Sequence, residues 1–304
     1  MVVNLANSLI EQRQSIEPFP KAANPSIFDA KDPRISTFGS TGYIGSRFCD
    51  FYANDVIKIL RDDYEPKSKN ILYLISTTHN RNIFTNPHLD IDTNLNVLID
   101  VLEKCKDKDI IFNFVSTSLV YGDCELPAAE NTFCNPKGFY GITKKCAEDL
   151  LISYCLTFHI PYRILRLSTV YGKSNVKEWA ERNALHLLIE KLKRDEPIKL
   201  YFHGEFIRDY IHLDDVVRAI DLVVEQAPLN SIINIGSGMP YQFIDLIEKA
   251  KAILGSQSVI ETCPPSEFYT IAQTKDLFLD IGELKSLGFE PAIAIESGIA
   301  ELCN

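Results

Sequence analysis

A glycine-rich stretch opens the regular part of the chain and reads Gly39-Ser40-Thr41-Gly42-Tyr43-Ile44-Gly45. The apolar run before it, Arg34–Phe38, predicts a strand, and the segment after it predicts a helix through about Ala53. Glycine permits a tight turn and lets a pyrophosphate approach the backbone closely, while the helix offers unpaired N–H groups and the positive end of its dipole. This order of elements favours a dinucleotide phosphate loop over a simple chain reversal.

Short apolar runs alternate with helical segments beyond this loop. The predicted strands are Val56–Leu60, Asn70–Ser76, Ile110–Val115, Tyr162–Leu167 and Ile232–Ile235. The predicted helices cover about Asn94–Cys105, a segment that begins near Tyr140, and Asp214–Glu225. Near-continuous apolar strands separated by helices predict an α/β fold, a Rossmann-like doubly wound parallel sheet with helices on both faces.

The pattern also predicts a division of the chain. We expect residues 1–33, which are rich in proline, to form an N-terminal extension. Residues 34–172 plus about 205–235 would form the dinucleotide-binding Rossmann domain. Residues of about 173–204 plus 236–304 would form a smaller C-terminal substrate-binding lobe at the carboxyl edge of the sheet. We expect Trp179 in the core of this lobe, with a base-stacking surface as the alternative.

Composition narrows the range of partners. The net charge of −10 argues against general affinity for nucleic acid or anionic membranes, although it allows a local cationic pocket. The eight cysteines form no C-x-x-C pair and no His-Cys cluster with metal spacing, so we expect buried thiols and no metal. No signal peptide opens the chain and no apolar run is long enough to span a membrane, which predicts a cytoplasmic protein.

The second predicted strand ends in Ile59-Leu60-Arg61-Asp62-Asp63. A carboxylate here can bind the adenosine ribose hydroxyls of NAD, whereas an arginine can pair with the 2′-phosphate of NADP. Arg61 comes first after the apolar run and favours NADP, with NAD as the alternative. Arg61 and Asp62 are thus candidate cofactor ligands, unless each is an ordinary solvated loop charge.

A second motif, Tyr140-Gly141-Ile142-Thr143-Lys144, places a phenol and an ammonium on one face of a helix. Hydride transfer at a carbinol carbon requires proton transfer at its oxygen, and a phenol is a poor base until a nearby cation favours its phenolate. The hydroxyl-rich strand end Val115-Ser116-Thr117-Ser118 precedes this motif and can hydrogen-bond the reacting oxygen. The combination is much more specific than an exposed Tyr–Lys pair.

With these motifs the chain resembles the extended short-chain dehydrogenases of the nucleotide-sugar epimerase, dehydratase and reductase group. The similarity runs from about Arg34 to the C-terminus and includes the stretches Arg166–Gly172, Arg208–Val216 and Ile233–Gly238. The resemblance implies a nicotinamide-dependent enzyme that acts on a nucleotide-diphosphate sugar. It also implies a homodimer built on helices near 94–105 and 140–158.

The resemblance assigns residues to roles. The catalytic residues would be Thr117, Tyr140 and Lys144. The cofactor ligands would be Gly39, Thr41, Gly42, Tyr43, Ile44, Gly45, Arg61, Asp62, Tyr140 and Lys144. The substrate ligands would be Ser118, Thr169 and Arg208, with Arg208 on the diphosphate because its guanidinium is a planar group with several donors. Asn94 matches a family asparagine for which we expect an architectural hydrogen bond.

Departures from the family pattern are informative. Residues 61–69 replace a strand and a helix that usually help to enclose adenine, so we expect an open adenine pocket and an exchangeable cofactor. Thr169 replaces a substrate-binding asparagine. Ser118-Leu119 stands where the 4,6-dehydratases carry Asp-Glu, which argues against water elimination.

These observations predict redox chemistry at a sugar ring carbon, most simply C4 of a nucleotide-linked hexose or heptose. A 4-ketoreductase would consume NADPH once and release its product. An epimerase would retain NAD, oxidise the sugar and reduce its other face. The open adenine pocket and Arg61 favour the reductase. A non-catalytic dinucleotide-binding sensor or scaffold on the same fold is the alternative from another class.

Overall fold

The computed structural model describes residues 33–78, 80–173 and 183–304. The predicted N-terminal extension lies outside the described residues except for Pro33, and Trp179 also lies outside them. The strands are β1 Ile35–Phe38, β2 Val56–Ile59, β3 Asn70–Tyr73, β4 Ile111–Thr117, β5 Tyr162–Leu167, β6 Thr169–Tyr171, β7 Ile198–Tyr201, β8 Ile207–Arg208, β9 Tyr210–His212, β10 Ser231–Ile235, β11 Tyr241–Gln242 and β12 Ile260–Cys263. The helices are α1 Tyr43–Phe51, α2 His88–Ile91, α3 Val97–Cys105, α4 Gly138–Thr157, α5 Ala184–Lys193, α6 Leu213–Gln226, α7 Phe243–Leu254, α8 Glu267–Ala272, α9 Gly282–Ser286 and α10 Ile295–Cys303.

The centre of the molecule is a six-stranded sheet in the order β10-β5-β4-β3-β1-β2. Every pairing in it is parallel, and β1 aligns Ile35 with Val56 of β2 and with Asn70 of β3. The five strands other than β2 are mostly buried because helices cover both faces. On one face α1 and α6 pack on the sheet, and on the other α3 and α4 do. The predicted α/β class with a doubly wound parallel sheet is therefore confirmed.

A third apolar cluster lies apart from the sheet. It joins α5, α7 and α10 with the parallel pair β7–β12, through side chains such as Leu188, Ile247 and Ile299. Residues of the chain end also pack into the sheet core, since Leu279 and Phe289 are buried against the α6 side. The predicted division at residue 236 stays a prediction, because the C-terminal segment contributes to both clusters.

The linker between β2 and β3 is short. Residues 61–69, all of which the structure describes, form neither helix nor strand, so β2 is the edge of the sheet. Ser36 of β1 accepts a hydrogen bond from the Lys67 backbone N–H at 2.9 Å, and its hydroxyl lies 2.8 Å from that of Ser68. These bonds hold the linker against the sheet in place of a crossover helix.

The helical segment before β4 begins earlier than the sequence predicts. It runs without a break from α2 through a π-helical turn, Asp92–Asn96, into α3. The wide turn directs Asn94 inward, where its amide accepts from Ser76 and the Thr77 backbone and donates to the hydroxyls of Thr77 and Thr143, at 2.9–3.0 Å. A π turn breaks the 3.6-residue period, which is why periodicity places the start of the helix at Asn94 and not at His88.

A buried ion pair joins α4 to the sheet. The Arg166 guanidinium donates to both carboxylate oxygens of Glu148, at 2.7 and 3.1 Å, and the Ser116 hydroxyl donates to the same carboxylate at 2.5 Å. The two charged side chains are only 3% and 1% exposed. Because the pair is dry and bidentate, removing either partner leaves an uncompensated charge in the core.

We therefore expect Glu148→Gln to lower the free energy of unfolding by about 3–5 kcal/mol, the usual cost of breaking a buried pair. Asp149→Asn removes the neighbouring exposed partner of Lys145 and should change it by less than about 1 kcal/mol. Urea unfolding of both variants measures the difference. Equal, small effects would show that the buried pair does not hold α4 on the sheet.

Candidate active site

The phosphate loop connects β1 to α1. No described side chain caps α1 and no acidic residue lies in its first turn, so its N-terminal N–H groups face the loop. A Cβ on Gly45 would lie 2.2 Å from the carbonyl oxygen of Gly39, and Gly39 itself has a φ of +79°. Only glycine fits at these two positions. The cradle that results suits a pyrophosphate, which the unpaired N–H groups and the helix dipole would bind.

The loop forms one end of a cavity of about 870 Å³ at the carboxyl edge of the sheet. The residues from the sequence analysis that line this cavity are Gly39, Thr41, Gly42, Tyr43, Ile44, Gly45, Thr117, Ser118, Tyr140, Lys144, Thr169 and Arg208. The fold thus brings the three predicted groups of ligands into one space. Their individual roles stay predictions.

Tyr140 lies in the first turn of α4 and is half-buried. Burial raises the pKa of its phenol to about 12, although hydrogen bonding with Ser76 and Thr117 opposes the increase. The charge of Asp90 adds to it. The phenol is therefore protonated at neutral pH in this structure.

Ser76 is a site residue that the sequence analysis missed. It follows β3, and its side chain, like that of Thr117, is a hydrogen-bonding partner of the Tyr140 phenol. A signal was present in the sequence, because Ser76-Thr77-Thr78 is a hydroxyl-rich strand end like the one that contains Thr117.

Lys144 lies one turn after Tyr140, on the same helix, and is 2% exposed. Its ammonium donates to the Val115 carbonyl at 2.8 Å and lies 4.1 Å from the centroid of the Phe114 ring. Burial lowers the pKa of Lys144 to about 7, against the opposing charge of Glu148. Lys144 is not among the described groups that shift the Tyr140 pKa, so direct tuning of the phenol by this lysine stays a prediction.

Arg208 in β8 is held by backbone carbonyls. It donates to the carbonyl of Ile207 at 2.8 Å and to those of Thr274 and Lys275, and its guanidinium lies 5.3 Å from the Phe206 ring centroid. These contacts fix its orientation at the cavity wall.

Two other predicted substrate ligands lie on the same side of the sheet. Thr169 opens β6, where its backbone N–H donates to the Asp209 carbonyl at 3.0 Å. Ser118 is buried at the start of a short 3₁₀ turn after β4. The Asp209 side chain accepts from the backbone N–H groups of Ser237 and Gly238 and so closes a loop.

Arg61 and Asp62 lie elsewhere. Both are exposed at the carboxyl end of β2, Asp62 has a φ of +69°, and neither is among the described residues that line the cavity. The Ser40 hydroxyl donates to the Ile59 carbonyl at 3.3 Å, which ties the phosphate loop to this strand end. Arg61 and Asp62 therefore follow a strand end that contacts the Gly39–Gly45 loop, but they do not line the cavity.

Among the residues that the structure describes there is no group of three or more His, Cys, Asp or Glu side chains that could hold a metal ion. None of their helices is both long enough and apolar enough to cross a membrane.

Comparison with known proteins agrees with this geometry. The family model "NAD dependent epimerase/dehydratase family" matches residues 70–236. The putative UDP-glucose 4-epimerase of Methanocaldococcus jannaschii is 30% identical over 229 residues, which are 74% of this chain and 72% of that protein. The UDP-glucuronate 4-epimerase of Thermodesulfobacterium geofontis is 28% identical over 264 residues, 84% of this chain and 78% of that protein.

Solved structures share the fold. The UDP-glucose 4-epimerase of Thermotoga maritima with UDP-glucose superposes with a TM-score of 0.78 at 24% identity, over 89% of this chain and 97% of that one. The UDP-glucuronic acid 4-epimerase of Bacillus cereus with UDP-glucuronic acid and NAD superposes with a TM-score of 0.79 at 24% identity, over 88% of this chain and 98% of that one. The family model and the 30% identity with the Methanocaldococcus jannaschii protein show that the chain belongs to the NAD-dependent epimerase/dehydratase family, and the superpositions show that it shares the Rossmann-type sheet.

Proposed function

We propose that this chain catalyses nicotinamide-dependent redox chemistry at C4 of a nucleotide-linked sugar, with Tyr140 as the proton carrier. The observation that carries the proposal is one cavity that contains the Tyr140 phenol with two hydroxyl partners, the uncapped start of α1, and Arg208. The names of the relatives, which are UDP-sugar 4-epimerases, support this substrate class.

The residues present fit a nicotinamide dinucleotide. The Gly39–Gly45 cradle would hold its pyrophosphate. When bound, the cofactor supplies or accepts the hydride. Lys144 uses one of the three donors of its ammonium on Val115, so two are left for the nicotinamide ribose hydroxyls.

The proton chemistry suits the reduction of a keto group, a step that a reductase and an epimerase share. A phenol with a pKa of about 12 is protonated at neutral pH and can donate its proton to the O4 of a 4-keto sugar as that oxygen gains charge. Thr117 and Ser76 orient the phenol through their hydroxyls. Arg208, fixed by its carbonyl partners, would hold the diphosphate and so set the distance of the sugar from Tyr140.

The open side of the cofactor site favours a net reductase that uses NADPH. Such an enzyme exchanges its cofactor at every turnover, and residues 61–69 provide no wall to the cavity that would retain adenosine. Arg61, exposed at the end of β2, would meet the 2′-phosphate. The second candidate is a 4-epimerase with retained NAD, which the relatives' names and the NAD in the Bacillus cereus structure favour.

A homodimer is part of the proposal. Exposed apolar side chains lie on or near the predicted dimer helices: Leu89 on α2, and Ile142 and Leu150 on α4, at 42%, 50% and 37% exposure. Burying them against a second copy would be favourable.

Replacing Tyr140 with Phe tests the proton carrier. The change keeps the ring and removes the hydroxyl, so we expect kcat to fall about 10²–10⁴-fold with little change in KM. The assay is the loss of reduced-nicotinamide absorbance with UDP-4-keto-hexoses as substrates. Tyr154→Phe is the control, because this hydroxyl lies on the same helix but contacts Glu103. Full turnover by the Tyr140 variant would exclude the mechanism.

The cofactor state of the purified protein tests the direction of the reaction. We expect a protein free of bound cofactor that binds NADPH more tightly than NADH, and an Arg61→Ala variant that loses about tenfold in NADPH affinity only. Lys67→Ala, which removes a charge already paired with Asp63, should leave both affinities unchanged. Stoichiometric NAD retained through purification would instead support the epimerase.

Lys144 should reduce stability at neutral pH. Its pKa is about 7 in the folded protein and 10.5 ordinarily, so between these values the unfolded chain binds a proton that the folded chain does not. The loss of stability caused by burying the charged Lys144 is complete below pH 7. It decreases by about 1.4 kcal/mol for each pH unit as the pH rises from 7 towards 10.5.

We expect Lys144→Met to be more stable than the wild type at about pH 6, and the difference to shrink by several kcal/mol at about pH 9.5. Urea unfolding at both pH values measures it. Lys145→Met, at the partly exposed next position, should show no such change. A difference that is independent of pH would contradict the burial of a charged Lys144.

A further inference from the structure

Asn80 lies between the catalytic helix and the C-terminal part of the cavity wall. We propose that it is a positioning residue, which fixes the backbone of Tyr140 with one end of its amide and fastens residues 267–273 with the other. The inference rests on the proposed role of Tyr140. Asn80 opens a short 3₁₀ turn after β3 and is 3% exposed.

The first contact supplies a cap that α4 lacks. The side-chain oxygen of Asn80 accepts the backbone N–H of Tyr140 at 2.8 Å. This N–H lies in the first helical turn, where backbone donors have no partner within the helix. The N-cap residue, Lys137, makes no side-chain cap. Asn80, which is distant in sequence, therefore caps the N-terminus of α4 in place of a local N-cap residue.

The second contact reaches the C-terminal segment. The side-chain nitrogen of Asn80 donates to the carbonyl of Ala272 at 3.0 Å, at the end of α8. One amide orientation satisfies both partners, because a flipped amide would point its N–H at the Tyr140 donor and its oxygen at the Ala272 carbonyl.

The start of α4, the Asn80 side chain and the end of α8 approach so closely that no side chain fits at Gly138. A Cβ on Gly138 would lie 2.6 Å from Asn80 Cγ and 2.6 Å from the Ala272 oxygen, and Gly138 has a φ of +66°. A larger residue at 138 would push the Asn80 amide off both partners. Glycine at the first position of α4 is thus required by this contact.

The fastened segment contributes to substrate binding. Tyr269 and Gln273 line the cavity, and the carbonyls of Thr274 and Lys275, directly after it, hold the Arg208 guanidinium. The Asn80 amide therefore links the backbone of Tyr140 to the segment whose next two carbonyls orient Arg208. Asn80 thereby sets the spacing between the two ends of the bound substrate.

The two contacts can be separated by substitution. Asn80→Ala removes both, whereas Asn80→Asp keeps the acceptor for Tyr140 and loses the donor to Ala272. Asn86→Ala, at an exposed position of the same segment, is the control. The readouts are kcat and KM with a UDP-4-keto-hexose and hydrogen exchange of peptides that cover residues 138–144 and 267–275.

We expect Asn80→Ala to lower kcat about tenfold, to raise KM about tenfold, and to speed exchange in both peptides. Asn80→Asp should raise KM by a similar factor, keep kcat within about twofold, and speed exchange only in the 267–275 peptide. The control should match the wild type in every readout. If the alanine variant does not fold, the aspartate variant carries the test.

Wild-type kinetics and exchange in Asn80→Ala would overturn the inference, as would an aspartate variant that behaves like the alanine one. Failure of the proposed function is a different result. In that case Tyr140→Phe would keep full turnover, while exchange at the start of α4 would still report whether Asn80 holds it.

Discussion

The buried ion pair between Glu148 and Arg166 sets the position on the sheet of α4, the helix that carries Tyr140 and Lys144. Glu148 lies one turn beyond Lys144 on α4, and Arg166 lies on β5 beside β4. Because Ser116 of β4 bonds to the same carboxylate, the helix is held to two neighbouring strands at once. Thr117 lies on β4 and Tyr140 on α4, so the distance between the two hydroxyl groups depends on the buried ion pair.

Two asparagines hold the same helix nearer its start. Asn94 bonds to Thr143, and Asn80 bonds to the backbone of Tyr140. Together with Ser116 and Arg166, which bond to Glu148 of this helix, they bring separate parts of the chain against α4. Amides and carboxylates have directional bonds, whereas apolar packing allows a helix to slide or rotate slightly. Polar contacts buried in this way therefore suit a helix whose side chains Tyr140 and Lys144 hold defined positions in the cavity wall.

Local pattern was sufficient for the framework of the molecule. The Gly39–Gly45 loop, the individual strands and the Tyr140–Lys144 motif each lie within a few residues, and period and spacing report such features directly. Tyr162–Leu167 is a strand with the predicted bounds. The short linker 61–69 likewise predicts that a strand and a helix are missing there, and in the structure β2 is the edge of the sheet.

The sequence by itself thus determined the fold class, the phosphate loop and the residue types that can move a proton. Tertiary structure alone decided that Ser76 joins Thr117, that Asn80 caps α4, and that carbonyls near residue 274 hold Arg208. These contacts join segments far apart in the chain, and their geometry follows from loop paths and from a π-helical turn that leave no period in the sequence. Burial, which sets the Lys144 pKa near 7, is likewise a property of the packed molecule and not of the motif.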